Sequence, residues 1–517
     1  LVQRSWILEI LIVLLFGGIF FRLTLLHLRP ESWITKPIEK SRALEFRPVG
    51  SRGKILDRNG EILAADVAAY HVVLDPKYIS EHGDAFRVKE VLSSVLKLDR
   101  ERVSAALVDP NRRYVRLVKY VPARKLEFFD RVFQGVAYRP DDETSVVLKG
   151  VLLEEAPIRS YPKGSLMAHV LGFSNREGVG SAGIELRYNN YLKGKEGHRS
   201  SKKDGRGREV YSARELDIPP ENGATVVLTL DQQIQYVTEK AIEKICFEYD
   251  AKGAWAIVQD VRTGEILSMA SFPKFDPNRY GRAPKEWLRN QAISVNFEPG
   301  STMKAGVVSK AIDKDLVTPK DRFDCENGSW AYGGRRLNDS HAEGILSVED
   351  ILKVSSNIGT AKIALMMGDQ RLYEGLKEFQ FGEQLGVGLP GEEAGIFHST
   401  NYWSKISATR IGMGQGISAT ALQVLSMMSA IANDGFQMRP YLLKQVVSDR
   451  GEVLQESEPE LLGQPISRST ALQMQRMLAR VVSEEDGTGT KARVEGYSVG
   501  GKTGTAQQVK PREEGGG

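Results

Sequence analysis

The chain has 517 residues, of which 41% are hydrophobic and 26% charged, and its formal net charge is +4. Single hydrophobic cores stop growing near about 250 to 300 residues, so we expect two large domains, and the composition argues against a disordered chain or a polytopic membrane protein. The charge is spread thinly, without basic runs interleaved with aromatic residues, which excludes a typical nucleic-acid-binding surface. Cys246, Cys325 and the seven histidines show no metal-ligand spacing, so we expect no metal and no cofactor.

An apolar segment near the N-terminus, Trp6 to Leu28, has the length of a membrane helix. About 20 helical residues cross a hydrocarbon core of roughly 30 Å, and Arg22 can snorkel toward the headgroups. A signal peptide and a buried helix are the alternatives, but no small-residue cleavage site follows the segment. We therefore predict a retained anchor in residues 1–28. The flanking charges do not obey the positive-inside rule, and because the sequence begins at Leu1 rather than Met we expect further residues before it.

Residues 29–222 have the pattern of an extended α+β module. Asn59-Gly60 between apolar runs predicts a β-hairpin, His71 to Leu74 predicts a strand, and Ala85 to Leu96 predicts a helix. Charged residues are spread through the module without a convergent polar cluster, which favours a spacer or a docking surface. A run of turn formers, Pro219 to Gly223, predicts a domain boundary at its end.

Residues 223–517 have the pattern of an antiparallel sheet covered by helices. Ala224 to Leu230 predicts a strand, and Trp255 to Val261 with Glu265 to Met269 predicts a hairpin. A helix-rich stretch follows, and we expect a last strand near Tyr497 to Gln507. Between the first strand and the hairpin, Asp231 is expected to cap a helix whose apolar face consists of Ile234, Val237, Ala241, Ile242 and Ile245.

Three short motifs follow one another in this second part: Ser301-Thr302-Met303-Lys304, Ser355-Ser356-Asn357 and Lys502-Thr503-Gly504. The first two motifs are weak evidence singly, because Ser51 to Lys54 and Ser200 to Lys203 also match S-x-x-K and Ser294 to Asn296 also matches S-x-N, whereas K-T-G occurs only once. The specific signal is the ordered set together with its sequence contexts.

The first motif predicts an activated serine at a helix N-terminus. Ser301 follows Pro299-Gly300 and opens an apolar run, and positions i and i+3 share a helix face, so the Lys304 amine is expected beside the Ser301 hydroxyl. A serine needs a base, and an amine is a base only when it is neutral. Burial and the positive helix end both lower the pKa of such a lysine. For this tetrad alone, the alternative is a serine N-cap followed by a solvated lysine.

The other two motifs suit proton relay and substrate binding. Ser355-Ser356-Asn357 ends a helical run from Val348, and its hydroxyl and amide groups can relay a leaving-group proton and hold a substrate amide. The glycines around Lys502 and Thr503 allow close approach of a ligand, and the cation and hydroxyl suit a carboxylate. A helix cap for the second motif and a bulged edge strand for the third are the alternatives.

With these motifs in this order, the whole chain resembles the class B penicillin-binding proteins. The anchor, the segment Arg52 to Gly60, which looks like the pedestal motif of that family, and Gly183 to Leu186 extend the resemblance beyond the motifs. The implied fold is α+β: a transmembrane helix, a pedestal for dimerisation or docking in 29–222, and a transpeptidase domain of the penicillin-binding and serine β-lactamase type in 223–517. In that family the sheet continues beyond the K-T-G strand, so we expect the sequence to be incomplete or truncated after it.

The resemblance also implies a peptidoglycan D,D-transpeptidase with an acyl-enzyme on Ser301. Lys304 would take the Ser301 proton, Ser355 would shuttle it to the departing D-alanine, and Asn357 would bind the stem peptide. The substrate-binding segment would hold the terminal carboxylate and, with the backbone N–H groups of Ser301 and Thr505, form the oxyanion hole; its residues are Lys502, Thr503, Gly504 and Thr505. β-Lactams would be trapped at the same serine.

Finer features of the motifs are similar to the division-specific branch of the family, namely Ser355 to Gly359 and Gly412 to Gly416. That branch implies septal cell-wall synthesis, a polytopic membrane glycosyltransferase and other division proteins as partners. It also implies a single-pass protein of the bacterial cytoplasmic membrane with its catalytic domain on the periplasmic side. The alternatives are an elongation-specific transpeptidase, a serine β-lactamase, and a β-lactam sensor or division scaffold. The anchor and the long pedestal argue against the β-lactamase.

Overall fold

The computed structural model describes residues 5–28, 42–126, 148–203 and 209–506, and these residues form two compact units. The first unit contains the residues up to Ser51 together with Gly194–Gly223, and the second contains Arg52–Lys193 and the residues from Ala224 onward. The secondary structure is mixed α+β, as predicted.

The helices are α1 (Ser5–Leu28), α2 (Pro76–His82), α3 (Ala85–Leu96), α4 (Arg100–Leu107), α5 (Ala168–Leu171), α6 (Gly183–Arg187), α7 (Asn189–Leu192), α8 (Gln232–Glu248), α9 (Gln291–Ser294), α10 (Met303–Asp313), α11 (Val348–Val354), α12 (Asn357–Met367), α13 (Asp369–Glu378), α14 (Ser407–Gly412), α15 (Ala421–Ala432) and α16 (Arg468–Ser483).

The strands are β1 (Ala43–Phe46), β2 (Ile55–Leu56), β3 (Ile62–Val67), β4 (Ala69–Leu74), β5 (Val115–Pro122), β6 (Val151–Glu155), β7 (Ile158–Ser160), β8 (His198–Lys203), β9 (Glu209–Val210), β10 (Leu216–Ile218), β11 (Thr225–Leu228), β12 (Ala254–Gln259), β13 (Ile266–Phe272), β14 (Arg322–Asp324), β15 (Ser329–Tyr332), β16 (Arg335–Asn338), β17 (Ile345–Ser347), β18 (Gln437–Met438), β19 (Leu443–Val447), β20 (Val453–Glu456) and β21 (Leu461–Gly463).

The first unit consists of the N-terminal helix and a small sheet. Within α1, Trp6–Leu28 is long and apolar enough to cross a membrane, and none of its most apolar window is buried. This confirms the predicted apolar helix, and we treat the chain as a membrane protein with one span in its described part. The sheet is antiparallel, with the order β1-β8-β10 and β9 paired to β8.

In the second unit, a six-stranded sheet combines strands from both sides of the predicted boundary at residue 223. Its order is β20-β19-β11-β2-β3-β7. β2 pairs with β3 in antiparallel fashion around the turn at Asn59-Gly60, which confirms the predicted hairpin, and β2 pairs with β11 in parallel. Fully buried apolar side chains, including Ile55, Val226 and Val446, form one core from both segments. The predicted strand and helix of the pedestal are confirmed as β4 and α3, which contribute to a smaller core of their own.

A buried ion network ties the pedestal segments together, so the expectation that this module has no convergent polar cluster was wrong. Glu185 has no exposed surface and accepts hydrogen bonds from Arg52 Nε at 2.7 Å, Arg159 Nε at 2.6 Å and the Tyr161 hydroxyl at 3.1 Å. Arg159 also pairs with Asp66 at 3.3 Å. The sequence pattern did not reveal this cluster, because Arg52 lies 133 positions before Glu185.

Replacing Glu185 with alanine is expected to destabilise the second unit by about 3 to 5 kcal/mol, because two buried guanidinium groups lose their shared acceptor. Urea or thermal unfolding of the purified chain measures the change. The control is Glu90→Ala, which removes the half-buried partner of the exposed Arg100 and is expected to cost less than about 1 kcal/mol. Equal losses in the two variants would contradict a structural role for the network.

The helix α8 was predicted correctly in position but not in orientation. Asp231 caps it as expected, accepting from the backbone N–H groups of the first turn. The predicted hairpin is confirmed as β12 and β13, and α8 lies against it. The buried side chains of α8, however, are Gln235, Glu239, Ile242 and Cys246, whereas Val237 is 65% exposed. The polar pair is satisfied inside the protein, since Gln235 donates to Glu239 and to a β13 carbonyl, and Glu239 accepts the N–H of Met167.

Candidate active site

Ser301 lies in a short turn at the start of a helix that is buried over almost its whole length. A 3₁₀ turn, Gly300–Thr302, leads directly into α10, whose side chains from Met303 to Ile312 are buried. The Thr302 hydroxyl donates to the Pro299 carbonyl at 2.7 Å and closes the turn. The sequence prediction of a helix beginning at Ser301 is therefore confirmed to within two residues.

Two glycines allow the chain to pass closely behind Ser301. Gly300 has a positive φ of 56°, and a Cβ there would lie 2.6 Å from the carbonyl oxygen of Thr505. Gly414 has a φ of 79°, and a Cβ there would lie 2.0 Å from the Gly300 carbonyl oxygen. Gly300 also donates its N–H to the Gly414 carbonyl at 3.0 Å. These contacts place three distant segments around one serine, and only residues without a Cβ fit.

The amine of Lys304 lies in the centre of the second motif. Lys304 has no exposed surface, and its Nζ donates to the Ser355 carbonyl at 2.6 Å and to Asn357 Oδ1 at 2.7 Å. The Ser355 hydroxyl is 3.3 Å from the same nitrogen. Among the described residues, no hydrogen bond joins Lys304 Nζ to Ser301 Oγ, although the two residues are one helical turn apart. The structure thus brings the first and second motifs together through the lysine.

Burial is the main influence on the protonation of this amine. Burial, with a smaller contribution from the positive charge of Lys502, lowers the pKa of Lys304 to about 7, while the carboxylate of Asp339 acts in the opposite direction. A large fraction of the amine is therefore neutral near pH 7, and a neutral amine can accept a hydroxyl proton.

The second motif lies where α11 ends and α12 begins, which confirms the predicted end of the helical run from Val348. Ser355 terminates α11 in a left-handed conformation with a φ of 64°, and Ser356 caps α12 by accepting the Gly359 N–H at 3.0 Å. Ser356 therefore makes the helix cap that was the alternative for this motif, while Ser355 and Asn357 contact Lys304. The side chain of Asn357 is held at the first turn of α12.

The third motif lies beside the second one but does not form the predicted strand. Lys502 Nζ donates to the Ser355 hydroxyl at 2.8 Å and to the Thr503 carbonyl at 3.0 Å, and burial lowers the pKa of Lys502 to about 8. A Cβ on Gly504 would lie 2.8 Å from the Thr302 side chain. The expected strand near Tyr497 to Gln507 was wrong over its described part, because no described segment pairs with it in a ladder.

Two residues outside the three motifs, Asp339 and Thr488, support the site and were not predicted from the sequence. The Asp339 carboxylate accepts from the Ser356 hydroxyl at 2.6 Å and from the backbone N–H groups of Asn357 and Ile358. Thr488 accepts from the Thr503 hydroxyl at 3.1 Å. The run of turn formers that contains Asp339 is the only sequence signal for it, and such runs are common. The described residues contain no group of three or more histidine, cysteine, aspartate or glutamate side chains that could hold a metal ion.

Comparisons with known proteins place this architecture in a family. Residues 254–517, just over half of the chain, match the model of the penicillin-binding protein transpeptidase domain, and residues 48–228 match the model of the penicillin-binding protein dimerisation domain.

Individual relatives agree with these matches. Stage V sporulation protein D of Bacillus subtilis is 31% identical over 97% of this chain and 76% of the relative. The probable peptidoglycan D,D-transpeptidase PenA of Neisseria meningitidis is 30% identical over 89% of this chain and 74% of the relative. The crystal structure of penicillin binding protein 2X from Streptococcus thermophilus has a TM-score of 0.75 and 25% identity, covering 92% of this chain and 72% of that one. The chain belongs to the class B penicillin-binding proteins, with the dimerisation and transpeptidase domains of that family.

Proposed function

We propose that the chain is a peptidoglycan D,D-transpeptidase that cross-links stem peptides through an acyl-enzyme on Ser301. The observation that carries this proposal is the convergence of the three motifs: a buried amine, Lys304, lies between Ser355 and Asn357, and Lys502 hydrogen-bonds to Ser355. The family match and the D,D-transpeptidase activity named for a relative point to the same reaction.

In the first half-reaction, the Ser301 oxygen attacks the carbonyl of the penultimate D-alanine while Lys304 takes the hydroxyl proton. The C–N bond to the terminal D-alanine then breaks, and its nitrogen receives a proton through Ser355. Asn357 binds the peptide, and Lys502 and Thr503 hold the terminal carboxylate. A serine ester and free D-alanine are the products.

In the second half-reaction, an amine of a neighbouring stem peptide attacks the ester, the C–O bond to Ser301 breaks, and the serine regains its proton. The backbone N–H groups of Ser301 and Thr505 would stabilise the negative oxygen in both halves, each worth on the order of 3 kcal/mol in other acyl-transfer enzymes. Gly504 supports this oxyanion role of Thr505. Because it has no side chain, the segment that carries Thr505 can lie close to the turn that carries Ser301. β-Lactams would acylate the same oxygen and remain attached.

We also propose the domain limits and the setting of this activity. The anchor would occupy 1–28, the pedestal 29–222 and the transpeptidase 223–517. The catalytic side would face the periplasm, where its substrate is. By similarity of its motifs to the division branch, the enzyme would act in septal wall synthesis with a polytopic membrane glycosyltransferase and other division proteins. An elongation role is the alternative.

Acyl transfer in vitro tests the proposed reaction. The detergent-solubilised chain is incubated with a stem pentapeptide donor and an amine acceptor, and the products are followed by mass spectrometry. We expect one D-alanine released for each acyl group transferred, and inhibition by penicillin. Rapid release of opened penicillin would instead indicate a serine β-lactamase, and a stable adduct without any transfer to an amine would indicate a β-lactam sensor.

A further inference from the structure

A residue outside the three motifs controls the shape of the second one. Asp339 follows β16, and its Oδ1 accepts the backbone N–H groups of Asn357 and Ile358 at the start of α12. Its Oδ2 accepts the Ser356 hydroxyl at 2.6 Å. One carboxylate therefore satisfies two free backbone donors of the first helical turn and fixes the serine that caps it.

The same segment orients the Asn357 side chain. Asn357 Nδ2 donates to the carbonyl of Asn338 at 2.9 Å, so its Oδ1 points to Lys304 Nζ at 2.7 Å. The reverse orientation would place two donors together and two acceptors together. The residue pair Asn338-Asp339 thus holds both the backbone and the amide of Asn357.

The orientation of the Asn357 amide decides which way the lone pair of the Lys304 amine points. A neutral amine has two N–H groups and one lone pair. The Ser355 carbonyl and Asn357 Oδ1 are the two near acceptors, at 2.6 and 2.7 Å, and together they occupy both N–H groups. The lone pair is then left for a hydroxyl proton. If the Asn357 oxygen moved away, an N–H group would be free to rotate into the position of the lone pair.

We propose that Asp339 is a positioning residue for acylation. It holds the backbone of Asn357 at the start of α12, which keeps the Asn357 amide oxygen on the Lys304 amine and leaves the lone pair of that amine available for the Ser301 proton. The inference rests on the proposed acyl-enzyme function. In the step concerned, the Ser301 oxygen forms its bond to the carbonyl carbon as its proton passes to Lys304, and the carbonyl electron pair moves onto the oxygen.

The charge of Asp339 gives a signature that a purely structural residue would not have. Two charged groups act on the Lys304 amine, Lys502 from the C-terminal segment and Asp339 from the segment after β16, while the flanking helix ends contribute the uncharged Ser355 and Asn357. Because the carboxylate favours the protonated amine, its neutralisation lowers the pKa of Lys304. The variant Asp339→Asn is therefore expected to move the acidic limb of the acylation profile to lower pH.

The test measures acylation of the full chain in detergent by a fluorescent penicillin, with the acylation rate constant separated from the non-covalent dissociation constant. Asp339→Ala is expected to lower the rate constant by about 100-fold, the scale of a small misplacement in an active site, with a smaller change in the dissociation constant. Asp339→Asn is expected to retain more of the rate, because its amide oxygen can still accept the helix N–H groups. The control is Asp321→Ala, which removes an exposed aspartate that caps a turn by accepting the Thr318 N–H.

Several results would overturn the inference. One is an Asp339→Ala protein that folds and acylates as fast as the Asp321→Ala control. Another is an Asp339→Asn profile with the wild-type midpoint. Asp339→Asn keeps the size and shape of the side chain. If the alanine variant fails to fold, the pH profile of Asp339→Asn therefore tests the positioning role. Absence of any adduct in the wild-type chain would instead contradict the proposed acyl-enzyme function. Failure of that function and failure of the positioning role therefore give different results.

Discussion

Replacing Ser301 with alanine is expected to abolish covalent labelling by a fluorescent penicillin. The acyl-enzyme requires an ester oxygen, and the alanine variant has none at this position. Removal of the nucleophile in a comparable serine enzyme costs about 10⁶-fold in rate, so labelling should fall below detection. A time course of in-gel fluorescence, calibrated by intact mass, measures the loss.

The sequence supplies a matched control for this experiment. Ser200 belongs to a second S-x-x-K tetrad, Ser200 to Lys203, but it lies on the strand β8, where residues i and i+3 do not share a face. Ser200→Ala should label at the wild-type rate. Wild-type labelling of Ser301→Ala, or loss of labelling in Ser200→Ala, would refute the assignment of the nucleophile.

Replacing Lys304 with methionine is expected to slow acylation by about 10² to 10⁴-fold, the range that a general base contributes. Methionine keeps much of the side-chain volume, so the variant removes the base, together with its hydrogen bonds to Ser355 and Asn357, with little change in the volume of the core. The residual rate is measured by the same labelling assay under single-turnover conditions.

Lys310 provides the corresponding control, because it lies on the same helix and is equally buried. Its amine bonds to Glu378 at 2.7 Å and to the Pro465 carbonyl, and neither partner belongs to the three motifs. Lys310→Met is expected to destabilise the protein, since it leaves these acceptors without a partner, yet the folded fraction should acylate at the wild-type rate. Equal slowing in both variants would mean that Lys304 acts through stability alone.

Local sequence patterns predicted the parts of the site that depend on a single element. The spacing of Ser301 and Lys304 predicted a helix start that the structure has two residues later, at Met303, with Ser301 in the turn before it. The predicted hairpin at Asn59-Gly60 is confirmed, because each of these patterns involves neighbours along the chain. The positions of the three motifs in the site followed only from their resemblance to a family. No single pattern contained the contact between Lys502 and Ser355, which are 147 positions apart.

The features that were not predicted depend on contacts with residues that are distant in the sequence. Gln235 and Glu239 are buried on α8 because Met167 and the β13 backbone satisfy them, and the 3.6-residue pattern of apolar residues cannot report such partners. Likewise, a strand near Lys502 requires a neighbouring strand, which the described residues do not provide. Asp339 was missed because its role arises only where β16 ends beside α12.

The central claim is that a neutral, buried lysine activates the serine, and the pH dependence of the acylation rate constant tests it most directly. Since the pKa of Lys304 is lowered to about 7, the neutral base is lost below that pH, and the rate constant should fall about tenfold for each further pH unit. Above about pH 8, where Lys502 loses its charge, the rate should fall again, giving a bell-shaped profile. The acidic limb should be absent from Lys304→Met. A wild-type rate constant at about pH 5 equal to that at about pH 7.5 would contradict the claim, because a protonated amine cannot accept the proton of Ser301.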